Sequence, residues 1–158
     1  MTQLSEMMQS WLSKFISEAG AVAGTVHMTE NGGLRLCAAQ NIPAKVQEVV
    51  AWVPSGKGMA GLALERGEAV QTCNLQEDRS GAVKPGAKAV DAKAAVALPV
   101  RGPDGSVIAV VGVAFMDDRE ISPAELERLQ KASLSLAELK TETASSWEGL
   151  LERQKQRG

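Results

Sequence analysis

The sequence predicts an α+β domain built on a mostly antiparallel sheet with helices on both faces. Three observations carry this expectation. Five short apolar runs have strand character, and hairpin turn signals join them near both ends of the chain. The two runs at 92–101 and 106–115 are apolar at almost every position, so both faces of the sheet need cover. At 158 residues the chain can bury one adequate core but not two.

Residues 3–18 place Leu4, Met7, Met8, Trp11, Leu12, Phe15 and Ile16 at amphipathic-helix spacing, and Gly20 ends the run. The period then changes. Ala21 to Thr29 reads as a strand with Val22, Val26 and Met28 on one face. Asn31-Gly32-Gly33 tolerates positive φ and predicts a hairpin, returned by a strand from Leu34 to Gln40. Pro43 opens a short helix expected to reach Trp52, where Pro54 stops it. After the glycine-rich 55–61, a brief helix from Met59 to Arg66 closes at Gly67, and Ala69 to Leu75 is the next strand.

Residues 76–91 are the least regular stretch, with Asp78, Arg79, Lys84 and Lys88 and few anchoring apolar groups. Ala92 to Arg101 and Ser106 to Phe115 follow as strands around Gly102-Pro103-Asp104-Gly105, which is turn chemistry. Ser122-Pro123-Ala124-Glu125 is a capping box with Pro at the first helical position. The last helix is expected to run through Leu126, Leu129, Leu134, Leu136 and Leu139, as far as Leu151.

Composition narrows the function classes. A net charge of −2, with acids and bases interspersed, supplies no basic patch for nucleic acid. No apolar run approaches ~18 residues, and the first residues lack the apolar core of a signal peptide. The reading is a cytoplasmic protein without membrane contact. One histidine and two cysteines cannot furnish an ordinary zinc site and leave at most one Cys–His dyad. Conventional side-chain catalysis is therefore not expected, and no metal or catalytic residue is assigned.

Gly58-Met59-Ala60-Gly61 leads to Gly67-Glu68-Ala69-Val70, and then to Asn74-Leu75 and Asp78. Ala94 to Val100 ends in Leu98-Pro99-Val100, and Gly105 precedes Val107-Ile108-Ala109-Val110-Val111-Gly112. In combination these phrases resemble the GAF domain family over roughly residues 6–140, leaving 141–158 as a helical extension. The resemblance implies a sheet of five strands, or six, in the order 2-1-5-4-3. It places the N- and C-terminal helices on one face, and a small-molecule pocket on the other beneath the short helices and the irregular loop. Residues expected to reach a ligand are Met59, Cys73, Asp78, Arg79, Lys84 and Ala97.

Members of this family usually bind cyclic nucleotides, tetrapyrroles, amino acids or small anions, or dimerise, and regulate an attached output domain. Residues 1–158 leave no room for an output domain, so the expectation is a stand-alone sensor acting through dimerisation or a partner protein, or else a fragment of a longer chain. The cofactor, if any, is not named by the sequence. Phytochrome-type pigment attachment needs a cysteine that 76–91 lacks, and the Asn-Lys of cyclic-nucleotide phosphodiesterases is missing. A scaffold whose pocket is filled by side chains is the second reading.

Four chemical candidates stand beside the resemblance. Gly56-Lys57-Gly58-Met59-Ala60-Gly61 matches Gly-x-Gly-x-x-Gly, but Pro54-Ser55 intervene after the run before it and no full crossover helix follows. A tight helix start is the plainer reading. Cys37 and Cys73 fall on opposite edge strands in the implied order, ~19 Å apart at four strand spacings, beyond disulfide reach. The free methionine sulfoxide reductases share the fold but carry cysteines before the fourth strand, where Gly81 to Asp91 has none. His27 and Cys37 lie on opposite faces if the first hairpin has a two-residue turn, and face each other only with a three-residue one.

The loop is either a solvated lid or, through Arg79 or Lys84, a clasp for an anionic group. The strand floor beneath it would draw on the small residues Ala95, Ala97, Gly112 and Ala114, which make room either for a ligand or for tight helix packing; the sequence does not fix the register that decides which of them face the pocket. Trp147, Leu150 and Leu151 overrun the sheet and suggest a homodimer through the terminal helices.

Overall fold

The computed structural model describes residues 2–72, 94–116 and 121–137. Among them the order is α1 (Thr2–Ala19), β1 (Ala23–Glu30), β2 (Gly33–Gln40), α2 (Ala44–Val49) and β3 (Trp52–Pro54). It continues with α3 (Gly58–Arg66), β4 (Val70–Thr72), β5 (Ala94–Arg101), β6 (Val107–Phe115) and α4 (Pro123–Ser133). Six antiparallel strands form one sheet in the order β3-β2-β1-β6-β5-β4.

Five of these strands stand in the order implied by the resemblance. The sixth is a correction. The helix opened by Pro43 stops at Val49, and Trp52–Pro54 extends the sheet beyond β2 instead. β-branched Val49, Val50 and Val53 favour extended backbone, and the Leu36 N–H donates to the Ala51 carbonyl at 3.0 Å as the chain turns into the strand. Pro54 is tolerated because β3 is an edge. Cys37 on β2 is consequently not on an edge strand.

Alternation sorts the side chains of β5 and β6. Val96, Leu98 and Val100 on β5, with Val111, Val113 and Phe115 on β6, face α1 and α4. There they meet Met8, Leu12, Phe15 and Ile16 of α1 and Leu129 of α4, all buried. The opposite face carries a smaller cluster, in which Ala97 and Val110 meet Leu34, Val53, Val70 and Ala63 of α3. Two helices thus cover one face and α2 and α3 the other, as the continuous apolar runs require.

Side-chain caps fix the ends. Ser122 accepts from the Glu125 N–H at 3.1 Å, which starts α4 at the expected capping box. The Gln9 side chain donates to the Ala39 carbonyl at 2.8 Å and accepts from its N–H, tying α1 to β2 past the end of the β3 ladder. Trp11 stacks on Phe15, and its Nε1–H reaches Ser135 Oγ at 2.7 Å.

The last helix is interrupted where continuity was expected. Ser133 and Ser135 hydroxyls donate to the Gln130 and Ala132 carbonyls, and the Leu134 N–H turns back to Lys131. Serine competes here with the helical ladder, so α4 ends at Ser133 and Leu134 is exposed. Residues Trp147, Leu150 and Leu151, on which the dimer expectation rests, lie outside the described residues.

Two substitutions test this packing in urea melts. Ser122→Ala is expected to cost about 1 kcal/mol through the lost cap. Leu98→Ala, fully buried between the sheet and the paired helices, should cost about 2–5 kcal/mol with an unchanged denaturant slope. A loss at Leu98 no larger than that at Ser122 would contradict its place in the main core.

Candidate functional site

The glycine-rich segment sets the position of α3. The Gly56 N–H donates to the Gly61 carbonyl at 2.8 Å, and the Lys57 N–H to the Pro54 carbonyl at 3.1 Å. A methyl group on Gly61 would lie 2.5 Å from the Pro54 carbonyl oxygen, closer than atoms pack. This is a compact strand-to-helix turn. The preceding β3 is a three-residue antiparallel strand and α3 leads into antiparallel β4, so the dinucleotide-binding arrangement is not formed.

A cavity of about 150 Å3 lies between this turn, α2 and the sheet. Its floor follows from cross-strand register. Thr25 pairs with Gly112, Gly112 with Ala97, and Ala95 with Ala114. All four small residues anticipated as a floor line the cavity. Val46, Val50, Val53, Met59 and Ala60 form much of its walls. The hollow arises because the two central strands put their bulk on the other face.

Polar groups are few, and Thr25, His27 and Lys57 supply side-chain ones among the described lining residues. Lys57 is exposed where α3 begins. His27 is on β1 and only 3% exposed. Its Nε2 lies 2.9 Å from the carbonyl oxygen of Val50, the C-cap residue of α2. A carbonyl can only accept, so Nε2 carries the hydrogen. Burial lowers the His27 pKa from its ordinary 6.5, and the Val50 carbonyl partly opposes this. The ring is therefore neutral near pH 7, and Nδ1 is a buried acceptor without a partner.

Sequence comparison places this arrangement in a family. The chain matches the model of the GAF domain over residues 2–137. The chain belongs to the GAF domain family. Solved GAF structures share its fold: that from a phosphoenolpyruvate-protein phosphotransferase of Coxiella burnetii has a TM-score of 0.75 at 16% identity, covering 92% of this chain and 86% of that one. The type II free methionine-R-sulfoxide reductase of Thermoplasma acidophilum has a TM-score of 0.70 at 16% identity, covering 87% and 92%. A free methionine-R-sulfoxide reductase of Neisseria meningitidis, solved with its substrate, has a TM-score of 0.60 at 16% identity, covering 90% and 88%. No functionally curated protein matches the sequence.

GAF domains generally serve as sensor or regulatory domains. Among the described residues of this one, no helix is long and apolar enough to cross a membrane. Of the six residues expected to reach a ligand, Met59 and Ala97 line the cavity. Cys73, Asp78, Arg79 and Lys84 lie outside the described residues.

The first hairpin has a two-residue turn at Asn31 and Gly32, both at positive φ. Val26 then pairs with Ala38 but His27 with Leu36, so Cys37 is the extra residue of a β-bulge. Cys37 packs against the α1 side of the GAF sheet, whereas His27 lines the cavity on the other. The two do not form a dyad.

His27 as a cavity residue was not anticipated. The signal was present, since Val26 and Met28 on the helix face force Thr25 and His27 onto the other.

The His27 shift has a signed consequence. Below about pH 6.5 the unfolded chain takes up the imidazole proton before the folded one does. Stability present above that pH is therefore lost as pH falls towards the lower pKa of the folded state, by at most ~1.4 kcal/mol per pH unit. Thermal melts from pH 7.5 to 5 should fall more steeply for the wild type than for His27→Gln. Parallel profiles would contradict the buried neutral ring.

Proposed function

We propose that this chain is a ligand-responsive regulatory domain whose small-molecule site is the cavity between α2, α3 and the sheet. The observation that carries the reading is the floor of Ala95, Ala97, Gly112 and Ala114, brought together from two adjacent central strands. Four small side chains in register make a recess that larger residues would close, and apolar recesses with a few polar groups are the usual form of small-molecule sites.

A route for the signal is supported by the same residues. The His27–Val50 hydrogen bond fastens the end of α2 to β1. The other face of β1 carries Val26 and Met28 into the core beneath α1. Occupancy that moves α2 would thus be felt by the strand on which α1 rests. We further propose a cytoplasmic homodimer, formed through the terminal helices and acting on a partner protein.

Thiol-dependent reduction is a second reading, favoured by the fold shared with two free methionine-R-sulfoxide reductases. It is the weaker one, because Cys37 packs on the sheet face away from the cavity. Regulation without catalysis accounts better for a site whose described lining carries no thiol.

Native mass spectrometry of the purified wild type and of Ala97→Leu tests the proposal. The wild type is expected to retain one small molecule per chain and to appear as a dimer. Ala97→Leu should fold with equal or higher melting temperature, keep the dimer and lose the bound mass, because its side chain fills the recess. A bare wild-type chain, or equal retention by both proteins, would contradict the site.

A further inference from the structure

We infer that the ligand is an uncharged, largely apolar molecule with about the bulk of one aromatic ring, and that the hydroxyl of Thr25 is the group that hydrogen-bonds to it. This rests on the cavity being a ligand site, as proposed above, and specifies the chemistry it selects.

The register leaves the Thr25 hydroxyl beside open space. Thr25 is on the cavity face of β1, because Val26 after it turns into the core beneath α1. Its partner on β6 is Gly112, which has no side chain to cover it. A methyl group built on Gly112 would rise from the floor and come within 3.0 Å of Thr25 Oγ1, so that oxygen borders the recess. Beyond Gly112 stands Ala97, whose side chain has no polar atom. Among the described residues no hydrogen bond occupies Thr25 Oγ1, and unlike His27 Nδ1 it is not sealed from contact.

The other polar side chains of the described lining do not compete for the ligand. His27 Nε2 is engaged by the Val50 carbonyl and Nδ1 is fully enclosed, so the ring offers carbon to the cavity. Lys57 is exposed where α3 begins. Val46, Val53 and Met59 contribute apolar surface opposite the alanine floor.

Charge and size follow from this wall. A carboxylate or phosphate would exchange its water for a described lining that holds no buried cation, and such an exchange is strongly unfavourable. Apolar hollows of about 150 Å3 stay dry and accept a single ring. A hydroxyl both donates and accepts, so a phenol, a small alcohol or a ketone supplies the one partner that Thr25 lacks.

Toluene, phenol and benzoate share a ring and differ in its substituent. Titrated into the full chain by calorimetry, toluene and phenol are expected to bind, and benzoate at least about tenfold more weakly than toluene. Thr25→Val keeps the shape and strand preference of the residue. It should weaken phenol about fivefold and hold toluene at least as tightly as the wild type, which also shows that the variant is folded. Independently of any variant, wild-type crystals soaked with phenol should place its oxygen within hydrogen-bond distance of Thr25 Oγ1. Benzoate binding as tightly as toluene would overturn the uncharged class. A phenol-to-toluene ratio unchanged by Thr25→Val, or a phenol oxygen turned away from Thr25, would overturn the role of the hydroxyl. Each of these results leaves the ligand site standing, whereas failure of all three probes to bind would overturn the site together with the inference.

Discussion

The register of β5 against β6 is the constraint on which the rest of this domain depends. Ala97 stands opposite Gly112 and Leu98 opposite Val111, so beside the recess β5 and β6 carry bulk on one face and only Ala and Gly on the other. A slip of one residue in either strand would exchange its two faces. Leu98 and Val100, or Val111 and Val113, would then fill the recess, and α1 and α4 would lose half of the surface they pack on. The hairpin turn holds that register. Asp104 accepts from the Ser106 backbone and hydroxyl, and the Gly102 N–H donates to the Ser106 carbonyl at 2.9 Å.

Bulk on one side and its lack on the other divide the labour of the fold. The α1–α4 side supplies most of the buried apolar side chains and therefore most of the stability. The α2–α3 side gives up packing around a hollow of about 150 Å3. A chain that gives up so much packing beside a buried, half-satisfied histidine departs from the consistency expected of a purely structural core. Binding sites are where such departures collect.

Much of this was legible in the sequence because alternation and turn chemistry are local. The apolar runs 92–101 and 106–115 announced the two covered faces, and the GAF phrases within them supplied the strand order. The small floor residues could be named as candidates, because parity puts Ala95 with Ala97 and Gly112 with Ala114, but only the register between the strands sets both pairs on the pocket side. What escaped depends on distant partners. Strand β3 has three residues and includes a proline, and it exists only because β2 offers an open edge. The bulge at Cys37 leaves no mark in composition, since it comes from a mismatch between the two ends of one ladder. His27 looked like an ordinary sheet histidine because only the seating of α2 shows that one ring nitrogen is satisfied and the other is not.

The claim that most needs testing is that the small residues of the central strands create an apolar recess that another molecule can enter. Diffraction from crystals pressurised with xenon tests it directly, because xenon settles in apolar hollows of this size without requiring any particular chemistry. The expected result is a xenon atom above Gly112, between Thr25 and Ala97, in the wild type and none in Ala97→Leu. Side chains closing over Gly112 with no xenon in the wild-type crystal would contradict the account.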